Sequence, residues 1–214
     1  NIEADKVVLC SGAIKSPHLL MLSGIGSADQ MKEFGITPIH ELPGVGNHLW
    51  NHLSSHIAFK VKDGITLSGE ADAVHYSLHY TADGSSEAND MVLRTNPVVD
   101  EREEKVPGLR TKYVTDGIPP EQVGRISCTL GLPDGSGYVR LASADPLVQP
   151  TFNYQYLQNA NDKRRVRDGI RKAAEFLESD AYKDVCDYRL HPTEEILNDD
   201  DALDLYIRQT VGTA

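Results

Sequence analysis

The run Lys6-Val-Val-Leu-Cys-Ser-Gly12 is short, apolar and closed by glycine, and Ser16-Pro17 follows it as a helix-opening pair. A strand that ends on bare backbone and hands over to a helix brings helix N-terminal amides to one edge of a sheet. Such an edge suits a phosphate or a flavin. The same junction is also a common structural joint, because a fold does not determine a function. Gly24-Ile-Gly26 adds nothing to this reading. It follows a helix pattern rather than a strand and lacks the third glycine of a dinucleotide fingerprint.

Three imidazoles, His48, His52 and His56, fall at i, i+4 and i+8. On one continuous helix they would share a face and could hold a metal. Gly44 and Gly46 precede the segment and Ser54-Ser55 interrupts it, so no continuous helix is expected and no metal site is assigned. There is no Gly-x-Ser-x-Gly elbow, and Cys10 sits in the apolar run, where a thiolate is disfavoured; a hydrolase is not indicated. Cys10, Cys128 and Cys186 lie far apart without C-x-x-C spacing and are expected as buried, reduced thiols. Glu103-Glu104 and Asp199-Asp200-Asp201 read as a solvated loop and a helix start, where the helix dipole favours negative charge.

The elements that must position these groups are legible from pattern. The 6–12 run is the pattern of a strand buried on both faces of a parallel sheet. Ser16 as N-cap and Pro17 at the first helical position open a helix with Leu19, Leu20 and Leu22 as its apolar side, ended by Ser23-Gly-Ile-Gly26. A capping box of Ser27 and Gln30 opens a second helix carrying Met31 and Phe34, with Gly35 taking the left-handed exit. Leu42-Pro-Gly-Val-Gly46 is a turn-rich loop. From there β-branched and aromatic residues dominate over 56–62, 91–94, 125–132 and 138–141, which suggests an antiparallel sheet. Ala71, Val74 and Leu78 suggest a helix over 71–81, and 99–120 reads as a long surface loop. Asn161 or Asp162 caps an amphipathic helix bearing Val166, Ile170, Ala173, Ala174 and Leu177. Two shorter, acidic-started helices follow near 193–197 and 200–209.

Composition narrows the classes. With 214 residues and 40% hydrophobic content the chain can build a core, as one large domain or two small ones. A net charge of −11 argues against a nucleic-acid partner, which is bound through clustered Lys and Arg. No apolar run approaches the about 18–20 residues that span a bilayer. The opening Asn-Ile-Glu-Ala-Asp-Lys carries no basic leader followed by an apolar stretch.

The order of these pieces resembles a known family. Ala4-Asp-Lys-Val-Val-Leu-Cys-Ser-Gly-Ala-Ile-Lys-Ser-Pro-His-Leu-Leu-Met-Leu-Ser-Gly-Ile-Gly26 resembles the second signature of the glucose–methanol–choline (GMC) oxidoreductases. Leu42-Pro-Gly-Val-Gly-Asn-His-Leu-Trp-Asn-His52 is similar to that family's Pro-Gly-Val-Gly-x-Asn-Leu-x-Asp-His segment beside the flavin. Gly137-Tyr-Val-Arg-Leu-Ala-Ser-Ala-Asp-Pro146 and Asn153-Tyr-Gln-Tyr-Leu157 resemble the start of its C-terminal region. His48 stands where the family usually has Asn, and Asn51 where it usually has Asp. Both keep hydrogen-bonding ability without a carboxylate.

The resemblance implies an α/β (α+β) fold: part of an FAD-binding domain over 1–54, then a substrate-binding domain over 55–214 with an antiparallel sheet flanked by helices. It implies FAD as cofactor, with Gly12, Ala13 and Ser16 contacting it and Asn51 and His52 on the flavin-facing side of the pocket. It further implies oxidation of a small alcohol at a CH–OH carbon by hydride transfer to flavin. The family's dinucleotide fingerprint and catalytic His are absent from these residues, so the chain is expected to be an internal piece, inactive alone, with no catalytic residue of its own. A hydroxynitrile-lyase-like member of the same family and a non-redox binding domain are the alternatives. A buried run at Val7 without companion strands should expose apolar surface and favour self-association.

Overall fold

The computed structural model describes residues 3–67, 77–97 and 117–213. In chain order its elements are α1 (Gly12–Leu22), β1 (Ile25–Gly26), α2 (Ala28–Glu33), β2 (His40–Glu41), β3 (Asn47–Leu49), β4 (Leu53–Val61), β5 (Ser77–Tyr80) and β6 (Met91–Pro97). There follow β7 (Val123–Leu130), β8 (Gly137–Arg140), β9 (Thr151–Asn153), α3 (Ala160–Leu177), β10 (Cys186–His191), α4 (Glu194–Leu197), α5 (Asp200–Thr210) and β11 (Gly212–Thr213). This mixed fold with antiparallel sheets is the expected α+β class. The chain divides into two compact units: Asn1–Asn51 with Gly135–Tyr156, and His52–Asp134 with Leu157–Ala214. The first unit is thus left after Asn51 and re-entered at Gly135.

In the first unit, the three-stranded antiparallel sheet β3-β8-β9 and helices α1 and α2 surround a small core of Met21, Leu49, Val139 and Leu141, with Ile14, Leu22, Phe34, Ile36, Val45 and Tyr154 packed on it. Residues 6–12 depart from the expected buried strand. They form no strand, and Val7 and Val8 are 78% and 82% exposed. A parallel strand is held by hydrogen bonds from both sides, and no described segment pairs with this one.

Helix α1 also starts earlier than Ser16-Pro17 suggests. Ser11 is its N-cap and Pro17 lies inside it. Being only in the second turn, Pro17 removes the single bond that would run back to Ala13, so the helix survives it. The buried face carries His18 and Met21, while Leu19 is exposed. At α2 the Ser27 side chain makes no capping bond. Its first amide, on Ala28, donates instead to Glu41 Oε2 at 2.9 Å, and Gln30 Oε1 accepts from the Leu141 amide. Gly35 ends the segment at φ +72° as expected.

In the second unit, β10-β4-β7-β6-β5 form an antiparallel sheet with β11 beside β4. β4 is buried on both faces, from Leu53 through Ser55, Ile57 and Phe59 on one side to His56 and Ala58 on the other. Helix α3 lies across β7, β4 and β6 and buries Val166, Ile170, Ala173, Ala174 and Leu177, the residues its period marked out. Each such aliphatic side chain stabilises by about 1.5–3 kcal/mol when buried. Its cap is Asn159, whose side chain accepts from the Asn161 and Asp162 amides. Asn161 and Asp162 already lie inside the first turn, where their side chains reach Asp134 and Arg165. Gly169 lets α3 approach: a Cβ there would lie 2.3 Å from Cys128 Sγ. Thr193 and Asp199 cap α4 and α5 as their acidic starts suggest.

The expected helix over 71–81 is corrected where it is described. Ser77–Tyr80 is strand β5, paired antiparallel with β6 from Ser77↔Arg94 to Tyr80↔Met91. A strand edge offered by β6 outweighs a short helical period, since propensity is a weak prior against tertiary pairing. Residues 71–76, and residues 99–116 of the loop expected over 99–120, lie outside the described residues. Of the cysteines, Cys128 is buried, Cys186 half-buried and Cys10 exposed. Cys10 is exposed for the same reason as Val7 and Val8.

Candidate functional site

The first unit holds four of the five residues singled out by sequence. Gly12 opens α1 at φ +78°, a conformation that L side chains rarely adopt, and a Cβ there would meet nothing. Gly12 and Ala13 are exposed, and Ser11 makes no side-chain bond to the first turn. The first amides of a helix have no intrahelical partner and carry the positive end of its dipole. Ser16 Oγ accepts from the Ser11 amide at 3.2 Å, which ties the entry of the chain to the next turn and places a hydroxyl beside those amides. The start of this eleven-residue helix therefore offers bare donors and open space, features that suit an anionic group.

Behind it, His18 is 3% exposed and its Nε2 lacks a partner among the described residues. Burial, and then the nearby Lys15 charge, push this imidazole below its ordinary value. Sequence pattern does not single it out, because it stands among the leucines that mark the apolar side of the helix.

The loop 42–46 is a turn, as its composition suggests, and leads into β3. Gly46 stands at φ +78°, and a Cβ there would come within 2.5 Å of the Val139 carbonyl. The Gly46 carbonyl accepts from the Val139 amide and from Arg140 Nη1, both at 2.7 Å. Arg140 Nη2 reaches Asn47 Oδ1 at 2.6 Å, and its guanidinium lies over the Tyr138 ring. Beyond β3, Trp50 is 59% exposed and stacks on His48, which is itself at φ +59°. Asn51 is half-buried and donates from Nδ2 to the Tyr156 hydroxyl at 2.9 Å. His52, the fifth residue, is exposed and is the first residue of the second unit.

The i, i+4, i+8 histidines do not share a helix face. His48 lies in β3 and His56 is buried in β4, so extended backbone separates them. Among the described residues no three His, Cys, Asp or Glu side chains gather as metal ligands. Among them, too, no helix is long and apolar enough to cross a membrane. Arg140 and Tyr156 were not singled out by sequence reasoning. Both lie in quoted stretches of the C-terminal resemblance, but their partners are about a hundred residues earlier and no local pattern links them.

Two family models match this chain. GMC oxidoreductase N-terminal and C-terminal models cover residues 1–54 and 133–214. Curated relatives include an oxygen-dependent choline dehydrogenase of Chromohalobacter salexigens, 29% identical over 98% of this chain and 39% of its own length. Another, from Staphylococcus aureus, is 28% identical over the whole chain and 39% of its own length. Among solved structures, pyridoxine 4-oxidase from Mesorbium loti superposes with a TM-score of 0.80 at 22% identity, over 98% of this chain and 39% of that one. A fungal aryl-alcohol oxidase gives 0.68 at 17% identity, over 94% and 43%. These structural likenesses are of fold. Family models and relatives together place the chain in a class of flavin oxidoreductases: it belongs to the GMC oxidoreductase family. FAD is the cofactor of that family. The chain spans about two-fifths of the length of the relatives it matches.

Proposed function

We propose that this chain is part of an FAD-dependent enzyme that oxidises a small alcohol at its CH–OH carbon. Membership in the GMC oxidoreductase family supports the redox class. The single structural observation that carries the cofactor reading is the start of α1: a left-handed, exposed Gly12 followed by uncapped amides.

Bound FAD supplies the acceptor for the hydride removed from the alcohol carbon. Gly12 and Ala13 hold its phosphates through backbone N–H groups, and Ser16 adds its hydroxyl. Asn51 and His52, consecutive in the chain, supply polar groups on the side of the flavin where the alcohol is oxidised. Residues 1–54 are then the cofactor-holding part and 55–214 the substrate-binding part. No residue of this chain is assigned the role of proton acceptor.

The test is flavin occupancy in the whole protein. Gly12→Val should lose yellow colour on desalting, while the parent keeps it and bleaches on anaerobic addition of its alcohol. Full flavin retention by Gly12→Val would refute the placement at α1. Cyanide release from a hydroxynitrile without bleaching by any alcohol would refute the oxidase chemistry.

A further inference from the structure

Asn51 lies in the short link between β3 and β4 and belongs to neither strand, so its own backbone does little to hold its amide plane. A hold on it comes from Gly135–Tyr156, the segment that re-enters the first unit. That segment grips the incoming loop at Gly46 and Asn47 through Arg140, and grips Asn51 itself through Tyr156. The Tyr156 ring is stiff where it stands. It stacks on Tyr154 with ring centres 5.2 Å apart and planes 11° apart, and Tyr154 meets Phe152 edge-on at 5.6 Å. Stacked and edge-on aromatic pairs are the favoured arrangements of such rings.

We propose that Tyr156 is a positioning residue: its hydroxyl, fixed by the Phe152–Tyr154–Tyr156 ladder, accepts from Asn51 Nδ2 and thereby sets the plane in which the Asn51 amide meets the flavin. The proposal rests on the reading that Asn51 faces the flavin and adds how it is held. A group that contacts a cofactor keeps its geometry only when a neighbour locks its rotamer. Asn has two rotatable side-chain bonds and no packing bulk of its own.

The experiment is a double-variant cycle on the FAD-loaded whole protein, reading the visible flavin absorption maximum and the FAD dissociation constant. Tyr156→Phe keeps the ring and its stack and removes only the hydroxyl. The proposal expects Asn51→Ala and Tyr156→Phe to displace the absorption maximum in the same direction and each to weaken FAD binding about 2- to 10-fold, the range of one hydrogen bond. The double variant should add nothing to Asn51→Ala, and the far-ultraviolet circular dichroism of Tyr156→Phe should stay that of the parent. A shifted Asn51→Ala beside a parent-like Tyr156→Phe would overturn the positioning role and leave the flavin reading standing. A double variant whose shift is the sum of the two singles would also overturn it. Parent-like spectrum and affinity in Asn51→Ala would overturn the flavin-facing reading itself, and the proposal with it.

Discussion

Arg165, on α3, donates to Asp90 Oδ2 at 2.8 Å, and both side chains are fully buried although 75 positions separate them. The same guanidinium reaches Asp162 at 2.6 Å and the Leu132 carbonyl at 3.0 Å, and Asp134 lies 3.3 Å from it. Asp90 Oδ1 in turn accepts from the Ala82 amide. One cation thus ties the β5–β6 turn, the exit of β7 and the first turns of α3.

Removing that cation should be costly. Arg165→Met leaves two buried carboxylates without their partner and is expected to destabilise the second unit by about 3–5 kcal/mol, as for other broken buried pairs. Burial alone would push the Asp90 carboxyl up, but the Ala82 amide and Arg165 more than reverse this and leave it below its ordinary value. A carboxylate held low contributes stability that is complete above its unfolded value of about 3.9 and is lost as pH falls through the folded one. Urea unfolding at pH 7 should show the loss in Arg165→Met, and the acid limb below about pH 4 should be shallower in the variant.

Gly169 should reject a methyl group despite its place in a helix. Glycine to alanine in a helix interior ordinarily stabilises by about 0.5–1 kcal/mol. Here the new Cβ would meet Cys128 Sγ at 2.3 Å and Met91 Cε at 2.8 Å, and overpacking of this kind costs about 1–3 kcal/mol. Gly169→Ala is therefore expected to lower the thermal midpoint, and Cys128→Gly added to it should recover most of the loss. An unchanged midpoint in the single variant would show that α3 moves off the sheet at no cost.

His18 should make the first unit sensitive to mild acid. An imidazole held below its ordinary value binds its proton less readily folded than unfolded. Its contribution is complete above about pH 6.5 and declines as pH drops through the lower folded value. Unfolding midpoints taken from pH 7.5 down to 5 should fall, and His18→Met should flatten that fall.

The three thiols should separate by reactivity. Cys10 is exposed, whereas burial pushes the Cys128 thiol up to about 12 and raises Cys186 as well. The thiolate is the reactive form. A chromogenic disulfide reagent at pH 8 should titrate Cys10 within minutes, and Cys128 only after denaturant is added. Rapid reaction of Cys128 in the native protein would contradict its place between β7 and α3.

Pattern alone marked the amphipathic face of α3, the acidic starts of α4 and α5, the glycine exit after α2 and three strands of the main sheet, β4, β6 and β7. Each is a local property: period, cap chemistry and β-branching act between residues within a few positions. The order of motifs also identified the family and hence the flavin. Tertiary structure decided the rest. Residues 6–12 have a strand's composition, but a strand exists only when another pairs with it, and none of the described segments does. Ser77–Tyr80 became a strand because β6 offered an edge. Arg165 is the largest fully buried side chain of α3 because Asp90 and Asp134, remote in sequence, converge on it together with Asp162 of its own helix. Tyr156 and Asn51 are 105 residues apart, and only the return of the chain into the first unit brings hydroxyl and amide within 2.9 Å. Contacts between segments remote in sequence leave no local period, so the groups that hold a candidate site in place emerge only once the chain has folded.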